Sequence, residues 1–343
     1  MLAVLLMGCG SGAGTSGSNA NEALSEYGFF APPMASQIPA AGVHPYEVNS
    51  PLWSDNAAKL RFIALPEGSA IAFSPTDPWG FPEGSTLIKT FLFPVDFNDP
   101  EGPRRLVETR LLVFEEGEWT GHVYVWNDEQ TEATRHVPGK FTTVAYKDAE
   151  GVDRSELYVI PNTNQCKGCH GNDDRTLPIG SRTRQLNRDV IHDGESVNQL
   201  QRLSDAGLFA EPPAMDESWE KLADPAGDAD LDSRARSWME ANCAHCHQPG
   251  GDGGTSGLVL LASETHPTKI GICKGPVAAG PGSGGRFQDI VPGKPEESIL
   301  VYRIASTDPE IKMPEIPNLL VDEFGLQLVS DWIAAMDPPG CPQ

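Results

Sequence analysis

Long apolar runs, positive charge and long helical patterns are all scarce in this sequence, and each shortage excludes something. No stretch approaches the ~20 apolar residues that a bilayer-spanning helix needs, so nothing in the chain reads as a transmembrane anchor. Lys and Arg number 25 against 48 Asp and Glu, a net charge of −23. That balance argues against nucleic acid as a partner and suits a well-solvated surface or a basic redox partner. With 35 Gly and 30 Pro in 343 residues, few segments can run as long helices, and a loop-rich fold of two or three domains is expected.

Only seven cysteines are present, but four of them stand in two copies of one pattern, Cys166-Lys167-Gly168-Cys169-His170 and Cys243-Ala244-His245-Cys246-His247. From this composition roughly 0.003 such five-residue patterns would arise by chance, so two are not coincidence. Cys-x-x-Cys-His is the attachment site of a c-type haem: two thioethers fix the porphyrin edge and the adjoining imidazole reaches the iron. The pattern therefore predicts two covalently bound haem c groups, held by Cys166, Cys169, Cys243 and Cys246, with His170 and His247 as proximal ligands. His245 lies inside the second motif and is expected at the surface or behind the ligands. Paired Cys-x-x-Cys units also build zinc ribbons and redox disulfides, but the spacing between these pairs is long for a ribbon and zinc does not require the following His.

The first residues, Met1 to Gly8, are apolar and lead to Leu6-Met7-Gly8-Cys9, a lipobox-like order. Cys9 is then the expected lipidation site of an exported, membrane-tethered protein at the periplasmic or cell surface. No basic residue precedes the run, which points to a start further upstream or to a different role. Gly10 to Asn21, rich in Gly, Ser and Thr, reads as a tether. Cys273 and Cys341 remain. In an oxidising compartment they are expected to form a disulfide, contributing about 4 kcal/mol in the chain-entropy model.

Patterning divides the rest. Residues 1–20 are expected to be signal and tether, 21–160 a β-rich domain, 161–225 a first haem-binding segment packed on it, and 226–343 a second haem domain, which the resemblance given below makes class I-like cytochrome c. Short runs such as Ile88 to Phe93, Arg105 to Val113 and Trp119 to Trp126, of period-two or continuous apolar character, stand between turn residues. The polar turns at Ser54-Asp55 and Trp126 to Thr131 are candidate binding sites, although such turns are usually acidic for local hydrogen bonding. After Leu231 the pattern predicts helices over Arg234 to Asn242, from Pro295, and from Asp322. Trp238 is available there to pack on a porphyrin. The fold class expected is α+β and multidomain: an N-terminal antiparallel β-rich domain followed by an all-α cytochrome c-type haem domain.

Met313, in Lys312-Met313-Pro314 between two of those helices, is the candidate sixth ligand of the second iron, a soft thioether that raises the reduction potential. The first iron has no comparably placed Met. Met215, His192 and His122 are candidates, Met215 being the one adopted, and an open position is a further alternative.

The segment Leu231 to Met336 resembles the class I cytochrome c domain through Cys243-x-x-Cys246-His247, Val291-Pro292-Gly293-x-Pro295 and Met313-Pro314. From about Pro51 onward the chain is similar to a family of bacterial di-haem c-type cytochromes, many of them lipoproteins. The shared words include Phe62-x-x-Leu65-Pro66, Ile88-Lys89-Thr90-Phe91, Glu108-Thr109-Arg110-Leu111, Trp126 to Thr131 and Gln185 to Asp189. Similar haem-bearing regions occur fused to PQQ-dependent sugar dehydrogenases. That resemblance implies an electron-transfer protein serving a quinoprotein dehydrogenase or another exported donor and acceptor. This chain has no room for the dehydrogenase propeller itself. The rival reading is a di-haem peroxidase-like enzyme whose first haem is open.

Overall fold

Apolar residues on both faces of the central strands build a six-stranded sheet whose strands lie side by side in chain order, all antiparallel. They are β1 (Val43–Pro45), β2 (Ala58–Ala64), β3 (Thr86–Pro94), β4 (Arg104–Glu115), β5 (Glu118–Trp126) and β6 (Ala133–Arg135). The structure is a computed structural model that describes residues 20–315 and 318–341, so Cys9 and its apolar leader lie outside the described residues.

The two faces of this sheet bury different partners. On one, Phe62, Ile88, Leu106, Leu111, Tyr124 and Trp126 pack against Leu24, Phe29 and Phe30. The other face carries two separate apolar clusters. At one end Ile63, Leu87, Leu112 and Trp119 meet Leu186, Leu200, Leu203 and Leu208. At the other, Phe91, Phe93, Val107 and Val123 meet Val144, Tyr146, Tyr158 and Ile160. Those last four belong to a hairpin, β7 (Lys140–Lys147) and β8 (Asp153–Ile160). Each fully buried side chain of this kind stabilises by roughly 1.5–3 kcal/mol, so both ends are firmly closed. Between them the register sets Arg61 opposite Lys89 and Lys89 opposite Arg110. Three cations interrupt the apolar face.

From β8 the chain turns at Pro161 into α1 (Gln165–His170), which is the first Cys-x-x-Cys-His unit. A small hairpin follows, β9 (Gly171–Asn172) with β10 (Arg175–Thr176), then α2 (Thr183–Leu186). The hairpin β11 (Asp189–His192) with β12 (Glu195–Asn198) leads to α3 (Gln199–Asp205). Asn198 caps α3 by accepting from the amides of Leu200 and Gln201. Further on, α4 (Leu231–Met239) is capped by Asp230 and passes through one π-helical turn, Glu240–Ala244, into the second motif. Three more helices follow: α5 (Pro267–Ile270), α6 (Ile299–Ile304) and α7 (Glu323–Ala334). Trp238 and Met239 of α4 bury against Leu328, Val329, Trp332 and Ile333 of α7.

The expected α+β arrangement with an all-α haem domain at the C-terminal end is not formed. Strand accounts for 26% of the structure and helix for 22%, and of the seven α-helices among the described residues three reach seven residues. The reason is local. Gly and Pro are dense between Gln248 and Pro295, and each costs a helix interior about 1 or 3 kcal/mol relative to Ala. That stretch holds 3-10 turns, the four-residue α5 and isolated bridges such as Ile272 with Ile290 instead. Pro295 opens a single 3-10 turn rather than a helix, and α6 starts only at Ile299.

This part of the chain is stitched back onto the sheet region. The Asp55 carboxylate accepts from the amides of Leu319 and Leu320, each at 2.9 Å. Asn242 Oδ1 accepts from the Trp53 amide at 2.8 Å, and Ser50 Oγ donates to the Ser237 carbonyl at 2.8 Å. Cys273 and Cys341 are disulfide-bonded with their Cα atoms 5.5 Å apart.

Candidate functional site

The two Cys-x-x-Cys-His units, 78 residues apart at their contact, pack directly on each other: the Cys246 thiol donates to the Gly168 carbonyl at 3.3 Å. The Cys169 thiol lies in hydrogen-bonding contact with the Cys246 thiol and with His245. The loops that follow are also joined, Asn172 Nδ2 donating to the Pro249 carbonyl at 3.0 Å and the Asp173 amide to the Gly250 carbonyl at 2.7 Å.

Each motif-terminal imidazole is held in a defined tautomer. His170 Nδ1 sits 2.8 Å from the Leu177 carbonyl, which can only accept, so Nδ1 carries the proton and Nε2 a lone pair. His247 Nδ1 lies 3.1 Å from Ser256 Oγ. Ser256 spends its own hydrogen on the Gly253 carbonyl at 2.6 Å, so its oxygen accepts and His247 too is protonated at Nδ1. Neither Nε2 has a hydrogen-bond partner among the described residues. A pinned Nδ1–H with a bare Nε2 is how metal-binding histidines are commonly oriented. A Cβ on Gly253 would lie 2.9 Å from His247 Nδ1, so this approach requires glycine. Gly121 plays a similar part for the first motif, since a Cβ there would come within 3.1 Å of Cys166 Cβ.

Each imidazole borders a cavity. His170, Cys166 and Cys169 line one of about 170 Å³ between the sheet, Pro178 to Ser181 and the turn after α4. His247, Cys243 and Cys246 line a second of about 230 Å³, walled by Leu258, Leu260, Ile299, Leu300 and Ile304. Cys169 and His245 border both, so they are a common wall. The electrostatics follow from burial. Desolvation holds His170 and His247 down at about 4, which keeps both neutral and ligand-competent at neutral pH. The same effect pushes the Cys243 thiol up to about 12 and Cys166 upward. Cys169 and Cys246 titrate as a pair: their shared hydrogen bond lets the first proton leave more easily than from an ordinary thiol and holds the second.

The remaining predicted residues divide sharply. Met313 lines the His247 cavity. Met215 does not line the His170 cavity and is 39% exposed. His192 is exposed on β11, 3.8 Å from the Asp193 carboxylate. His122 is buried on β5, on the sheet face opposite Gly121 and the cavity, because successive strand residues point to opposite faces. None of these three faces the first motif. His245 is not a surface residue: it is 7% exposed and its Nδ1 has no hydrogen-bond partner. Trp238 packs into the α4–α7 core and donates to Asp322 Oδ2 at 2.9 Å, away from both cavities. In the polar turn, Asn127 accepts from the Thr131 amide and Gln130 from the Leu106 amide, so those side chains are spent locally.

These residues suit an iron porphyrin. Each motif offers two thiols and one neutral imidazole at a cavity, and the second adds a thioether. The sequence reading missed Arg61, Lys89 and Arg110, which also line the His170 cavity. Their signal was present as charges standing at the inward phase of otherwise apolar strands. Compared with models of known protein families, with curated proteins and with solved structures, the chain matches none.

Proposed function

We propose that this chain is an exported di-haem c-type electron carrier, tethered to a membrane through Cys9. Cys166 and Cys169 would hold one haem and Cys243 and Cys246 the other, with His170 and His247 as proximal ligands and Met313 as the sixth ligand of the second. When bound, the haem supplies reversible one-electron chemistry at iron. The chain's own residues supply the rest. Leu177 and Ser256 fix the imidazole tautomers, Leu258, Leu260 and Ile299 exclude water, and Cys169 with His245 keeps the two groups in adjoining chambers. A separate redox donor, such as a quinoprotein dehydrogenase, and an acceptor are the partners, and the acidic surface suits basic ones.

The observation that carries this reading is the direct packing of the two motifs, Cys246 on Gly168, with one wall shared by both cavities. A metal-free structural role gives no reason for two bare Nε2 atoms at two adjoining cavities. Potentiometry with optical spectra on matured protein should resolve two c-type haems; a single haem or none rejects the proposal.

A peroxidase-like enzyme is the second reading, favoured by the placement of Met215, His192 and His122 away from the first motif. Peroxide turnover and tight cyanide binding at the first haem would select it, and a six-coordinate first haem inert to both would select the carrier.

A further inference from the structure

The rung Arg61–Lys89–Arg110 is an unusual thing to half-bury on the inward face of a sheet. Like charges set directly opposite one another across a sheet repel, and here three occupy adjacent strands. Glu108, itself 0% exposed, compensates one of them, receiving Arg110 at 2.5 and 2.9 Å and the Tyr158 hydroxyl at 2.8 Å. The other two have no such partner. Among the described residues neither the Lys89 ammonium nor the Arg61 guanidinium makes an ion pair or a hydrogen bond. Lys89 instead lies 5.3 Å from the centre of the Phe91 ring. All three cations line the cavity of Cys166, Cys169 and His170. Burial and the neighbouring Arg61 and Arg110 bring Lys89 down to about 7, outweighing the opposing pull of Cys169 and Glu108. The cavity is therefore built for an occupant that brings negative charge.

We propose that Arg61, Lys89 and Arg110 form a carboxylate-binding rung that receives the carboxylates of the haem tethered at Cys166 and Cys169. This rests on the di-haem reading, which supplies a dianionic group attached at that cavity's edge. Guanidinium and ammonium donors pair strongly with carboxylates, and Arg offers two parallel donors to one carboxylate. The rung then anchors the group at a second place, away from the thioethers. It also sets the iron's electronics, because a cation in a low-dielectric cavity favours the reduced, less positive state.

The test uses the full-length protein matured with two haems. Lys89→Met and Arg61→Met should each lower the midpoint of one haem, by about a tenfold change in its reduction equilibrium, 59 mV for a one-electron couple. The other midpoint should stay in place, and Lys89→Arg should restore the wild-type value. Arg110 is left intact because its removal strands the buried Glu108. Midpoints unchanged in both Met variants overturn the proposal. A first haem turned high-spin by Lys89→Met and left so by Lys89→Arg also overturns it, since Lys89 would then be an iron ligand. So does a wild-type midpoint that moves on titration with succinate, which would mean that the rung takes a diffusing anion. Wild-type protein that carries no haem at Cys166 and Cys169 defeats the underlying functional reading instead, and pyridine haemochrome spectra together with haem-peptide mapping separate that failure from the others.

Discussion

Cys246 rests on the first motif, its thiol 3.3 Å from the Gly168 carbonyl and in hydrogen-bonding contact with the Cys169 thiol. Residues from two distant parts of the chain are thereby brought closer than either is required to be by its own motif. In chain lacking haem, this contact decides oxidation chemistry. The pair loses its first proton more readily than an ordinary thiol, and a thiolate beside a thiol is the reactive arrangement. Mild oxidation of such protein should yield a Cys169–Cys246 bond in addition to Cys273–Cys341. Peptide mapping by mass spectrometry would reveal it; bonds within each motif, Cys166–Cys169 and Cys243–Cys246, would speak against the packing.

His245 is a wall between two cavities and carries a buried nitrogen without a partner. Its size matters more than its polarity. His245→Phe keeps the wall and trades the Cys169 contact for removal of the unpaired Nδ1, so stability should change by less than about 1.5 kcal/mol. His245→Ala opens the wall and should cost about 2–4 kcal/mol in urea unfolding. Equal losses in the two variants would contradict the wall assignment.

Gly253 permits the approach of His247 to Ser256. With a notional Cβ 2.9 Å from Nδ1, Gly253→Ala must move the ring or the loop. In matured protein the spectrum and midpoint of the second haem should shift while those of the first hold. A change confined to the first haem, or none, would show that this loop does not orient His247.

Acid stability should carry the signature of His122. Burial, reinforced by Arg135, lowers it from 6.5 to about 4. The unfolded chain therefore binds the proton first, so stability is complete above about pH 6.5 and is lost as pH falls toward 4, by about 3 kcal/mol. His122→Leu should remove that part of the slope between pH 6.5 and 4. A slope unchanged by the substitution would mean that the imidazole is solvated.

The two motifs were legible in the sequence and their packing on each other was not. The two motifs and Met313 announce their chemistry through residue type and order, which need no tertiary information. The strands β3, β4 and β5 were likewise legible, as short apolar runs separated by turn residues. Of the three C-terminal helices expected, those over Arg234 to Asn242 and from Asp322 are formed in essence as α4 and α7, while the one expected from Pro295 begins only at Ile299, after a 3-10 turn. Met215 failed as a ligand for a different reason: a soft donor near the motif in sequence is not near it in space. His245 and the rung could not be found without register. Arg61, Lys89 and Arg110 are unremarkable charges in one dimension and become a cluster only when β2, β3 and β4 pair in this alignment.

The central claim is that two haem groups are attached covalently to one chain, at Cys166 with Cys169 and at Cys243 with Cys246. The direct measurement is the intact mass of protein matured in a host with c-type haem attachment, followed by mapping of haem-bearing peptides. The account predicts two haem additions per chain, one on each motif peptide, with one lost in a Cys243→Ala/Cys246→Ala variant. A chain with the mass of unmodified polypeptide, colourless or carrying zinc on its four thiols, would contradict it.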